Sequence, residues 1–171
     1  MSVRPIVTIP DAVLRRKARP VTEFDKSLQV LIDDMIDTMR AAPGVGLAAP
    51  QIGIPLRVIV VEYPEDEEAE EAPPRLYVLV NPEIVRVSQE MESGVEGCLS
   101  IPGLVGEVER HVSIVVRGLN RHGQPVRWKL KNWTARIFQH EIDHLNGILF
   151  TDRATRVWKP QEAELPVEDN V

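Results

Sequence analysis

His140-Glu141-Ile142-Asp143-His144 (HEIDH) decides how this chain is read. Residues four apart lie on one face of an α-helix, so His140 and His144 can offer two imidazoles to one ion, with Glu141 beside them. Two nitrogen ligands and a carboxylate over an open coordination position make the H-E-x-x-H arrangement of hydrolytic metal sites. The chemistry needs that combination. A bound divalent ion lowers the pKa of its water to about 7, and Glu141 can take up a proton and deliver it to a leaving group. The helix is predicted over residues 133–146, with Asn132 as N-cap and Gly147 closing it. Trp133, Ile137, His140, Glu141, His144 and Ile148 form one stripe, which turns the motif inward. A buried His-Glu-His cluster would cost several kcal/mol without a partner, so a metal is expected.

Such a site needs a third protein ligand and leaves the fourth position to water. No histidine follows Gly147, and the few later glutamates lie in a polar tail. The ligand must come from upstream, where the candidates are Cys98, His111, His122 and the acids. His122 reads as the tip of a hairpin and His111 as a charged position beside a strand, both at the surface. Cys98 is the sole cysteine and sits in a glycine-containing turn, where site residues tend to lie. A lone cysteine is ordinarily a small buried hydrophobe; the missing ligand favours Cys98. Thiolate with two imidazoles suits Fe(II), Zn, Co or Ni rather than Mg or Ca.

Outward from the motif, the pattern is helix, many strands, helix. Residues 11–17 read as a short helix stopped by Pro20. Leu28, Leu31, Ile32, Met35, Ile36 and Met39 make an amphipathic helix with Asp33, Asp34 and Asp37 outside the apolar stripe. Residues 42–55 read as a Gly/Ala/Pro-rich loop. Strands are predicted at 57–63, 76–80, 112–119 and 126–130, with weak alternation over 85–92 and turns at 93–97 and near Pro102-Gly103. Residues 120–125 form a hairpin turn. The expected fold class is α+β, with antiparallel β-sheets packed around the metal-binding HExxH helix and an N-terminal amphipathic helix. One catalytic domain over 1–171 is expected, with an acidic surface loop at 65–74 and a disordered tail at 160–171.

The net charge of −6 is local: residues 65–71 (EDEEAEE) hold six acids, so the remainder is near neutral. No basic footprint points to DNA, no apolar run is long enough to span a membrane, and no secretory signal is visible. With one cysteine and no disulfide to form, a cytoplasmic location is expected.

Three segments together resemble the peptide deformylase family: GVGLAAPQ (residues 44–51), EGCLS (96–100) and QHEIDHLNG (139–147). Their order and spacing also match, and the similarity runs to Asp152. The resemblance implies removal of the formyl group from the N-terminal formylmethionine of nascent polypeptides, releasing formate. It implies Cys98, His140 and His144 as metal ligands and Glu141 as general acid/base. It adds Gln51 and the Leu99 backbone N–H as donors to the formyl oxygen, Gly46 as a backbone partner of the substrate, and Val45 as lining of the methionine pocket. Fe(II) is the expected ion, with Zn, Ni or Co as alternatives, and a transient ribosome contact is a further expectation. A family arginine after the cysteine motif has no counterpart at Leu104-Val105-Gly106. Two other readings stay open on the residues alone: another metal-dependent amidase or peptidase, and a non-catalytic protein with a structural ion.

Overall fold

The apolar spacing of residues 28–39 forms α1 (Lys26–Ala41) in the computed structural model, which describes residues 2–65, 67–69 and 71–160. Asp25 starts the helix by accepting from the Leu28 N–H at 3.0 Å, a cap typically worth ~1 kcal/mol. All six residues of the expected stripe are buried. Asp34, expected outside it, is buried too. Its carboxylate accepts from the Ser2 N–H at 2.8 Å and pairs with Arg4 at 2.7 Å. The N-terminal segment folds back over α1 and supplies a partner that the helical pattern itself does not contain.

In chain order the strands are β1 (Gly46–Ala48), β2 (Val58–Pro64), β3 (Pro74–Val87), β4 (Met91–Cys98), β5 (Ile101–His111), β6 (Ser113–Leu119), β7 (Pro125–Lys131) and β8 (Arg156–Trp158). Between β7 and β8 come α2 (Asn132–Leu145) and the short α3 (Phe150–Arg153). One sheet has the order β1-β2-β3-β6-β7 and the other β4-β5-β8, with antiparallel neighbours throughout. The α+β class with antiparallel sheets about the motif helix is as expected.

Strand alternation explains the layering. Ile59 and Val61 pack with Tyr77, Ile137, Phe138 and Ile142 between the larger sheet and α2. Val58 and Val60 face the other way, toward Ile32, Met35 and Met39 of α1. The run Val58-Ile59-Val60-Val61 is therefore apolar on both faces because both faces are covered. A third cluster joins Leu14, Cys98, Ile101, Val108, Leu149 and Phe150 beneath the smaller sheet.

Several expectations are corrected. The loop over 42–55 contains β1 and a 3-10 turn at Ala49–Ile52. The break at Asn81-Pro82 is no strand end: β3 runs through it, pairing with β2 up to Val80 and with β6 from Val80 onward, with a register shift between Val80 and Glu83. Pro82 sits at this handover, where its missing N–H is tolerated. The turns at 93–97 and Pro102-Gly103 lie inside β4 and β5, and the reversal occurs at Leu99-Ser100. Asn132 is the first helical residue, at φ +56°, and not the cap. The cap position, Lys131, makes no side-chain bond; instead Glu67 of the acidic loop accepts from the Trp133 N–H at 3.0 Å. The loop is thus partly tied down, not simply solvated. The tail expected at 160–171 lies outside the described residues, except for Pro160.

Candidate metal centre

α2 is buried along most of its length, so the motif faces inward as the stripe predicts. His140 is 2% exposed, Glu141 0% and His144 1%. Cys98, at the end of β4, is 6% exposed and lies beside them. Ligand atoms of Cys98, His140 and His144 lie within 4.8 Å of one another, and Cys98 Sγ is 3.3 Å from His144 Nε2. His111 and His122 are elsewhere. His111 Nδ1 is 2.8 Å from the Ser88 carbonyl, and His122 is exposed in the β6–β7 hairpin.

The three residues fit a metal ion. His140 Nε2, His144 Nδ1 and both Glu141 carboxylate oxygens are buried without a hydrogen-bond partner, which is costly for groups that want one. The histidines are also pushed in opposite directions. Burial lowers the proton affinity of His140, but the neighbouring Cys98 sulfur, the Nδ1 bond to Glu96 and the charge of Glu141 outweigh it, raising its pKa to about 10. Burial, with the charges of His140 and Arg110, drives His144 well below its usual value. A cation among the three residues would give the orphaned His140 Nε2 a partner. Burial raises the Glu141 carboxyl to about 7, with His140 and Arg110 pulling it down.

Behind the cluster is a network that the sequence reading missed. Glu96 is fully buried, and its Oε1 is 2.9 Å from His140 Nδ1. The same carboxylate receives two bonds from Arg110, each 2.9 Å, and one from Arg136 at 2.7 Å. Burial resists ionisation of Glu96, but the bonds from Arg110 and His140 prevail and hold it well below the usual carboxylate range. Arg110 also reaches Asp143 at 2.7 Å, and Asp143 in turn holds Arg153. A histidine that donates Nδ1–H to a carboxylate keeps Nε2 free as a ligand. A sequence signal existed: Val108 and Arg110 share the inward face of β5, and an arginine there demands a buried acid.

Gln51 is fully buried. Its Oε1 accepts from the Ala48 N–H at 3.0 Å, and its Nε2 donates to Ser100 Oγ at 3.1 Å and lies 3.6 Å from Cys98 Sγ. Leu99 follows Cys98 in the turn to β5. Gly46 lies on β1, at the edge of the larger sheet. A Cβ there would stand 2.6 Å from Glu141 Oε2 and 2.9 Å from Ile137 Cγ2, so only glycine fits beside the carboxylate. Val45 is a buried core residue in the cluster between sheet and α2.

Comparisons with known proteins find one family along most of the chain. The family model described as polypeptide deformylase matches residues 3–159. A peptide deformylase of Desulforudis audaxviator is 50% identical over 162 residues, covering 95% of this chain and all of that one. The crystal structure of a peptide deformylase from Thermotoga maritima is 42% identical with a TM-score of 0.82, covering 90% of this chain and 99% of that one. One from Ehrlichia chaffeensis, in complex with actinonin, is 42% identical with a TM-score of 0.84 over 91% of each chain.

Proposed function

Because this chain belongs to the polypeptide deformylase family, whose members remove the formyl group from N-terminal formylmethionine, we propose that it does so at the Cys98–His140–His144 centre, with Glu141 as general acid/base. The observation that carries this reading is the buried cluster itself: three ligand atoms within 4.8 Å, beside a carboxylate whose oxygens have no partner.

Cys98, His140 and His144 would hold one divalent ion. When bound, that ion polarises the formyl carbonyl and lowers the pKa of water next to it. The thiolate and two imidazoles suit Fe(II), Zn, Ni or Co alike, and the family resemblance points to Fe(II) among them. Glu141 takes a proton and returns it to the departing amine. Gln51 is locked by Ala48 and Ser100, so its amide is preorganised next to Cys98. We assign Gln51 Nε2 and the Leu99 N–H to the formyl oxygen as it gains charge, each typically worth about 2.7–4 kcal/mol. β1 ends its sheet, and an extended peptide can pair with such an edge. Gly46 then contacts the substrate backbone, and Val45 closes the methionine side.

Nascent chains are the substrates, so a transient ribosome contact and a cytoplasmic location belong to the same proposal. No helix among the described residues is long and apolar enough to cross a membrane. The test is formate release from formyl-Met peptides by enzyme reconstituted anaerobically with Fe(II), Zn, Ni or Co in turn. Cleavage of internal peptide bonds without formate release would favour a peptidase, and a tightly held ion with no hydrolysis would leave a structural site.

A further inference from the structure

Resting on the reading that Cys98, His140 and His144 hold an ion, we propose that Arg136 is a positioning residue for that centre. It clamps the sheet that carries Cys98 to the helix that carries both histidines, and residue 94 is glycine to make room for it.

Arg136 lies on α2 one turn before His140 and is 5% exposed. Its guanidinium spans two strands of the smaller sheet. Nη1 donates to Glu96 Oε2 at 2.7 Å and to the Val108 carbonyl at 2.9 Å, and Nη2 donates to the Glu92 carbonyl at 2.6 Å. The Trp133 ring covers the group at 5.4 Å. Glu92 and Glu96 are on β4 and Val108 is on β5, so one side chain joins α2 to both. The planar fork makes this possible; a lysine ammonium could not hold the same three acceptors in one plane.

Two routes lead from Arg136 to the ligands. Through Glu96 it shares a carboxylate with His140 Nδ1, so it sets where that carboxylate sits and how the ring is turned. Through β4 it fixes the strand that ends two residues later at Cys98. Gly94 lies between the two bonds to β4. A Cβ there would stand 2.8 Å from Arg136 Cζ and 3.0 Å from Nε and Nη2. The guanidinium could yield only by giving up its acceptors, so Gly94→Ala should loosen the clamp while leaving every charge in place.

The experiment uses zinc-loaded and cobalt-loaded enzyme carrying Arg136→Met, Arg136→Lys or Gly94→Ala. Zinc release to a chromogenic chelator and the thiolate-to-cobalt charge-transfer band are read without substrate, so they stand whether or not the chain deformylates. Partners behind metal ligands typically contribute 10–100-fold to metal affinity, and zinc release about that much faster is expected for Arg136→Met and Gly94→Ala. The cobalt band should shift, kcat for formyl-Met peptide should fall more than KM rises, and Arg136→Lys should recover part of the loss. Wild-type release and an unaltered band in folded variants, even with a lowered Tm, would overturn the proposal and leave Arg136 a packing residue. If Arg136→Met does not fold, Gly94→Ala decides the matter by the same two readings.

Discussion

The Glu96 carboxylate lies 2.9 Å from His140 Nδ1 and carries two arginines on its other lone pairs. Removing its charge leaves Arg136 buried without its carboxylate and Arg110 with Asp143 alone. Breaking one side of a buried ion pair typically costs about 3–5 kcal/mol, and Glu96→Gln is expected in that range by urea unfolding. A loss no greater than that of an exposed pair such as Glu83→Gln would contradict the network.

Glu141→Gln keeps the shape of the side chain and removes its basicity. Its oxygens make no other hydrogen bond, so the fold should be unaffected. General acid/base catalysis is typically worth about 10²–10⁴-fold, and kcat should fall by that much with the metal content unchanged. Unaltered turnover would remove Glu141 from the mechanism.

Gly46→Ala tests the close approach of β1 to the same carboxylate. With a Cβ at 2.6 Å from Glu141 Oε2, either the acid or the strand edge must move. Overpacking of this kind usually costs about 1–3 kcal/mol, and a lower Tm together with a loss in kcat/KM is expected. Wild-type kinetics would show that the edge tolerates displacement.

The acidic loop should contribute to stability through Glu67. Glu67 accepts from the Trp133 N–H at the start of α2, where the capping position has no bond of its own. Glu67→Ala should cost about 0.5–2 kcal/mol, the usual range for a lost helix cap. Thermal melts of the variant and the parent would measure it; identical curves would return the loop to a purely solvated role.

Asp34 gives a pH signature. Its carboxyl is held below its ordinary value of 3.8, first by the Ser2 N–H and then by Arg4. A depressed folded pKa stabilises above the unfolded value and loses that contribution as pH falls through the folded one. The Tm gap between wild type and Asp34→Asn should therefore be constant from pH 7 to about 5 and shrink below about 4. A gap that widens on acidification would reverse the assignment.

The metal helix was legible because its two histidines and its apolar positions share one period, and α1 was legible for the same reason. The β6–β7 hairpin carried its turn residues openly. β4 was not legible, because Ser93-Gly94-Val95-Glu96-Gly97 has the composition of a turn. Gly94 is small to admit Arg136, and Glu96 is charged to meet two arginines and a histidine. Those constraints act across the fold and override local strand preference. Asn81-Pro82 misled for a related reason: it marks a change of partner within β3, which no local pattern reports. Cys98 is reached from the sequence by elimination, as the candidate third ligand, whereas the residues behind the cluster need three dimensions.

Cys98 and His144 meet although 46 residues separate them in the chain. At a synthesis rate of ~5–20 residues/s, the thiol is made roughly 2–9 s before its last partner. During that interval Cys98 is an unprotected sulfur on an incomplete chain. Cys98 and His144 can therefore meet only after α2 has been synthesised, an order imposed by the topology of the chain.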